Sequence, residues 1–355
     1  MHKLSDMKAV KARITWMITA SAFAMTALVH LALLTRPAGA QTSRETAWSN
    51  RTPWGDPDLQ GEWTSEGEYG VPFERPAQFG NRAFLTDEEY AKRIQDIKLR
   101  DGRDLAPVDV FSGKVEGPSA PIPHWREYNT TSRRTSLVTD PPDGRLPPRV
   151  PRSAQLPAPE RCGGLGRGEP CDSHEDYGLG VRCIVQGGVP GAMFPAVYNA
   201  NMRIMQSPGY VVITYELIHD TRIIPIDTPG RRPPLSPAIR MYMGDARGRL
   251  EGTTLVVETN NLRVGTRGST EKLRLIERFT RTGQDSIQYQ VTFDDPATWT
   301  APFTAELDLK ARPDDGGVFE YACHEGNYGL TNMLTVSRDL ERKAREAGSQ
   351  PQQGR

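Results

Sequence analysis

The stretch 210–227, YVVITYELIHDTRIIPID, carries four ionisable side chains within seven residues: Glu216, His219, Asp220 and Arg222. Two apolar runs flank them, and a junction between apolar strands does not require such a cluster. An imidazole beside carboxylates can move protons near neutral pH, and a guanidinium stabilises negative charge as it develops. The residue types therefore point to acid–base chemistry on a small molecule. In that scheme His219 is the base, Glu216 orients or protonates, and Arg222 holds the anion.

A second cluster, YACHEGNYG at 321–329, offers His324 as an alternative base. Glu325, Asn327 and Tyr328 join Tyr198, Asn199 and Asn201 as candidate substrate contacts, and Tyr198 is an alternative to Arg222 for holding negative charge. Strand alternation adds carboxylates. In LRLIERF (273–279) Glu277 shares a face with Leu273, Leu275 and Phe279, Glu258 has the parity of Val256, and Glu216 that of Val212 and Thr214. Three carboxylates are thus expected to enter one interior, where each must be paired or neutralised. Glu277 is the alternative to Glu216 as proton donor, and Glu258 is counted among the substrate contacts. No cofactor is expected. A divalent metal held by Glu216, His219, His324 and Glu325 is the alternative, although a strand turns positions i and i+3 to opposite faces. The chain has no G-x-S-x-G, Rossmann or P-loop glycine pattern.

These residues need strands to position them. Runs rich in β-branched and aromatic residues predict strands near 202–206, 210–218, 222–227, 253–260, 272–281, 285–294, 303–311 and 318–324. Turn residues at 207–209, 248–252, 282–285 and 314–317 separate several of them. Consecutive short strands imply an antiparallel barrel or sandwich. Before the meander, Gly61-Glu62-Trp63 opens a possible strand, and Thr86 with Glu89 forms a capping box for a helix ending about Leu99. The stretch 101–159 is rich in proline and lacks periodicity, as expected of a coat over the core rather than an ordinary loop. A short charged helix is expected after Leu330, followed by a frayed tail.

Residues 1–40 read as an export signal: a basic start, an apolar run over 14–34 and Ala38-Gly39-Ala40 as a cleavage site. The 355-residue chain balances 44 Lys+Arg against 44 Asp+Glu. Loss of five basic residues and one acid with the signal leaves the remainder mildly acidic, which gives no electrostatic footprint for nucleic acid. The expected organisation is signal (1–40), irregular wrapping segment (41–200), β-meander or barrel (201–335) and C-terminal helix with tail (336–355). The four cysteines (Cys162, Cys171, Cys183, Cys323) suit two disulfides in an oxidising compartment. Cys162 with Cys171 would close a local loop and leave Cys183 with Cys323 as a long-range staple. No C-x-x-C spacing supports zinc.

Several segments together resemble a large bacterial family of exported proteins without a settled reaction: TPWGDPDLQG (52–61), FLT (84–86), Glu216 with His219-Asp220 and Arg222, MGD (243–245), EGTTLVVET (251–259) and YACHEGNY (321–328). That resemblance implies export and the importance of these motifs, and it implies no mechanism. Separately, the meander with Gly61-Glu62-Trp63 resembles calycin and lipocalin barrels. The expectation is a mainly β protein, an antiparallel calycin-like barrel wrapped by an irregular Pro-rich N-terminal segment with one or two short helices, located in the periplasm or secreted. Its expected activity is cofactor-independent acid–base chemistry on a small, largely apolar, oxygenated molecule that is possibly aromatic, as a lyase ahead of a hydrolase or a metal-assisted enzyme. The rival from another class is a non-catalytic small-molecule-binding barrel. Its expected partner is a small molecule, with no nucleic acid and no membrane anchor once the signal is removed.

Overall fold

The computed structural model describes residues 48–104, 131–151, 162–163, 167–168, 171, 173–196, 198–226, 233–312 and 317–348. The expected export signal lies outside them. Among the described residues, no helix is long and apolar enough to cross a membrane.

Nine antiparallel strands form a nearly closed barrel. They are β1 (Gly61–Thr64), β5 (Asn201–Ser207), β6 (Tyr210–Tyr215), β7 (Thr221–Pro225), β8 (Asp245–Glu251), β9 (Thr254–Asn260), β10 (Arg274–Gly283), β11 (Ser286–Asp294) and β12 (Phe303–Ala311). Their order is β7-β6-β5-β1-β12-β11-β10-β9-β8. An isolated parallel bridge between Ile226 and Gly248 joins the two ends. At that seam a Cβ on residue 248 would sit 2.7 Å from Ile226 Cδ1, so a larger residue there would force the Ile226 side chain to shift. A short β2 (Val138–Asp140) pairs with Thr304 and Ala305 at the start of β12, whereas β1 pairs at its other end, and β3 (Cys162–Gly163) pairs with β4 (Arg167–Gly168) as a separate two-residue ladder.

Alternation along the strands builds the interior. Val211, Ile213 and Tyr215 of β6 face it with Leu255, Val257 and Thr259 of β9, Leu275, Glu277 and Phe279 of β10, and alternate residues of β11 and β12. Full burial of each large apolar side chain contributes about 1.5–3 kcal/mol against the entropy of ordering it. At one end an aromatic cluster closes the core. Phe293 stacks on Phe303 with centroids 4.6 Å apart, and Phe73 meets Phe293, Phe303 and Phe194 edge-on.

The described part of the Pro-rich segment does pack as a coat. Leu137 and Val138 are buried, and the Leu137 and Val138 amides donate to the carbonyls of Pro72 and Phe73. Arg134 Nη2 reaches Glu306 of β12 at 2.6 Å. The predicted capping box is present: the Glu89 amide donates to Thr86 Oγ1 at 3.3 Å and the Thr86 amide to Glu89 Oε2 at 2.8 Å, at the start of a helix spanning Asp87–Asp104. The C-terminal helix, Tyr328–Gly348, is longer than expected.

Two strand assignments are corrected. Residues 318–324 form no strand, because the Phe319 and Tyr321 amides are taken by side chains of the β6–β7 connection instead of a neighbouring strand. The place in the barrel belongs to β8, whose sequence DARGRLE carries too few apolar residues to stand out.

Candidate functional site

The most deeply buried charges form a closed network. Arg222 of β7 donates to Glu277 of β10 through two nitrogens, Nη1 to Oε1 at 2.9 Å and Nη2 to Oε2 at 2.6 Å. Tyr289 Oη donates to Glu277 Oε1 at 2.9 Å, Arg222 Nη2 reaches Thr259 Oγ1 at 3.0 Å, and Arg222 Nη1 reaches Tyr215 Oη at 3.4 Å. Both charged side chains are essentially without exposure. Burial alone would lower the Arg222 pKa, but the charge of Glu277 and the Tyr215 oxygen outweigh it, so the net shift is upward. Desolvation pushes the Tyr215 phenol up to about 12, and it drives Tyr289 well above its ordinary range with help from the Glu277 charge. Both phenols are therefore neutral at physiological pH. Arg222 thus lies inside the barrel and not at its rim, because it shares the parity of Ile224.

Glu216 is buried for a reason other than strand parity. Strand β6 ends at Tyr215, and Val212 and Thr214 face outward. The chain turns at Glu216, whose carboxylate accepts from Asn201 Nδ2 and from the Phe319 amide at 3.1 Å. His219 Nε2 accepts from the Tyr321 amide at 2.9 Å, and Asp220 Oδ2 accepts from the Gln186 amide at 3.1 Å. Glu216 and His219, two of the expected catalytic residues, and their neighbour Asp220 thus each fasten a neighbouring segment by its backbone. Ile218 and His219 both have positive φ, 62° and 58°. For a β-branched residue this is a strained conformation, which persists only where the surroundings over-determine it.

The C-terminal cluster is joined to the same region by the Cys183–Cys323 disulfide, and no cysteine is free among the described residues. Asn327 Nδ2 donates to the Val181 carbonyl at 2.9 Å, while its Oδ1 accepts from the Leu330 amide at 3.3 Å and caps the C-terminal helix. Tyr198 stacks on Tyr321, with their hydroxyls 3.5 Å apart. His324, Glu325 and Tyr328 are exposed. Glu258 does not enter the interior: it lies on the outer face of β9, paired with Arg274 Nε at 2.8 Å, since Val257 and Thr259 take the inward parity. Among the described residues, no group of three or more His, Cys, Asp or Glu side chains converges as a metal site.

A cavity of about 280 Å³ opens beside this region. Its wall includes Tyr215, Asn199, Gln186, Phe194, Thr266 and Arg267. Tyr215 connects it to the buried Arg222–Glu277 pair, and Leu217, next to the strained Ile218, also lines it. Asn199 and Arg267 themselves have positive φ, 53° each. Of the expected site residues, Asn199 alone lines this cavity directly. Sequence reasoning missed Arg267, Gln186 and Thr266; the one available signal was a guanidinium flanked closely by Gly265 and Gly268 in a polar turn.

No family model, no curated protein and no solved structure matches this chain.

Proposed function

We propose that the chain is an extracytoplasmic small-molecule-binding barrel whose ligand, a small, largely apolar, oxygenated molecule, occupies the cavity beside Tyr215. The observation that carries this reading is the cavity wall itself. It combines apolar surface with a few polar groups on strained backbone, the mixture typical of ligand sites. The side chains otherwise suited to catalysis, Glu216, His219 and Asp220, are engaged with backbone amides. The disulfide suits an oxidising compartment, and export to the periplasm or beyond, like the calycin likeness, belongs to this proposal. Screening the purified full chain by thermal shift against small oxygenated aromatic and alicyclic compounds tests it. Hits should be lost in Ala196→Trp, which fills the cavity; hits retained in that variant would place the ligand elsewhere.

One observation favours a second reading, an enzyme of the lyase type without an organic cofactor. Tyr215 is one of the residues along the cavity wall, and its neutral phenol is fixed behind that wall by the Arg222–Glu277 pair. In that case Tyr215→Phe, which takes the hydroxyl out of the network behind the cavity wall, should keep binding and lose turnover of a bound compound. Recovery of every bound compound unchanged after prolonged incubation with the wild-type protein rules this reading out.

A further inference from the structure

The loop carrying Arg267 is fastened from several sides. Thr266 Oγ1 donates to the Gly187 carbonyl at 3.0 Å, and the Ser269 amide to the Thr266 carbonyl at 3.0 Å. The Thr270 amide donates to Asp295 Oδ2 at 2.6 Å, Trp299 Nε1 to Ser269 Oγ at 3.2 Å, and Arg149 Nη2 to the Gly268 carbonyl at 3.2 Å. Gly268, with φ 79°, sits where a Cβ would meet Arg149 Nη2 at 2.2 Å. The residues on either side of Arg267 thus hold the backbone of the loop.

The Arg267 side chain itself is not committed. Its guanidinium carbon lies 4.2 Å from the Phe73 ring centroid and 4.4 Å from that of Phe194, in the corner between two rings set edge to face. These cation–π contacts fix the group in place and use none of its N–H donors. Among the described residues it has no hydrogen bond and no ion pair, and the side-chain amides of Gln186 and Asn199 on the same wall have none either. Arg222 shows what this chain does with a guanidinium that serves the fold: it surrounds it with a carboxylate and hydroxyls. Arg267 is exposed, so its donors are open to solvent, and a planar fork held in place by two rings beside apolar surface matches a carboxylate in geometry and charge. The cavity lies at the small end of the range for ligand sites, which suits one ring and not a lipid chain.

We infer that this cavity binds a one-ring organic carboxylate, its carboxyl group taken by Arg267 and its ring lying along the Phe194 and Ala192 side. The inference rests on the cavity being the ligand site and adds the charge and shape of the ligand. Neither Glu216 nor Glu277 competes for Arg267, because both are satisfied elsewhere.

Isothermal titration of the full chain with benzoate, benzamide and acetate tests it. Benzoate should bind saturably, with benzamide and acetate each about 10- to 100-fold weaker. Arg267→Gln should bring benzoate down to the benzamide level, Arg267→Lys should recover part of the loss, and raising salt should weaken benzoate and acetate but not benzamide. Equal binding of benzoate and benzamide, or an unchanged Arg267→Gln variant, overturns the carboxylate assignment while leaving the cavity as a site. Benzoate binding that survives Ala196→Trp overturns the cavity as well. Benzoate affinity weaker than about 1 mM in the wild-type protein also overturns the inference.

Discussion

Two arginines, Arg222 and Arg267, stand within reach of the same cavity wall and are treated in opposite ways. Arg222 is enclosed by Glu277, Thr259 and Tyr215, and its Nε is its one nitrogen without a partner among the described residues. Arg267 is held by two aromatic faces, with its donors left over. The first arrangement is costly to interrupt, because removing one partner leaves a buried charge uncompensated. The second costs the fold little to alter, because no protein group depends on it for a hydrogen bond. The contrast follows burial: Arg222, which serves the barrel, is enclosed in the core, whereas Arg267 is exposed at the cavity and open to something outside it.

The largest effect should come from Glu277→Ala, which strands Arg222 in the core and removes the acceptor of Tyr289. A loss of about 3–5 kcal/mol is expected by urea denaturation. Replacing both partners together, Arg222→Met with Glu277→Leu, should cost much less than the single change. A double variant as damaging as the single one would show that the pair, not the stranded charge, carries the stability. Next, replacing Cys183 and Cys323 with serine frees a loop of 140 residues, for an expected loss of about 2–5 kcal/mol. Hydrogen exchange should then rise at the Phe319 and Tyr321 amides before it rises in β10 or β11.

Tyr215→Phe removes one long hydrogen bond from Arg222 and should cost about 1 kcal/mol. Arg267→Gln should change stability by no more than about 0.5 kcal/mol, as for a surface site. A loss comparable to that of Glu277→Ala would collapse the distinction between the two arginines.

The smallest expected effect lies at the helix cap. The Arg82 hydrogen bond, with the Thr86 amide, holds the Glu89 pKa down to about 2, against 4.5 for the free side chain. A depressed carboxylate stabilises the fold above its unfolded pKa and loses that contribution as pH falls through its folded one. The melting-temperature gap between the wild-type protein and Glu89→Gln should therefore be full above about pH 4.5 and close as the pH falls toward 2. Since the pair is exposed, added salt should narrow the gap at neutral pH.

Much of the barrel was legible because its strands alternate cleanly. Seven of the eight expected strands coincide with β5, β6, β7, β9, β10, β11 and β12 within a few residues. Strand β8 escaped because a seam strand with Gly248 at its centre looks like a turn. The inward position of Glu277 followed from parity, whereas Glu216 is buried by a bend after the strand, where parity no longer applies. For Glu258 the apolar neighbour Val256 misled, since Val256 is buried on the outer face. Arg267 was invisible for a deeper reason: a lone arginine in a polar turn becomes distinctive only once Phe73 and Phe194, far apart in the chain, are seen to meet beneath it.

The single carboxylate of Glu277 ties together side chains from β7, β9, β10 and β11. A slip of β10 by one residue against its neighbours would turn Glu277 outward and bring in either Ile276, which leaves Arg222 unpaired, or Arg278, which sets two like charges together in the core. A slip by two would restore the parity but carry the carboxylate about 7 Å along the strand, beyond hydrogen-bonding distance of Arg222 and Tyr289. The ion pair therefore works as an alignment key, and a barrel assembled in any other register would have to leave it broken.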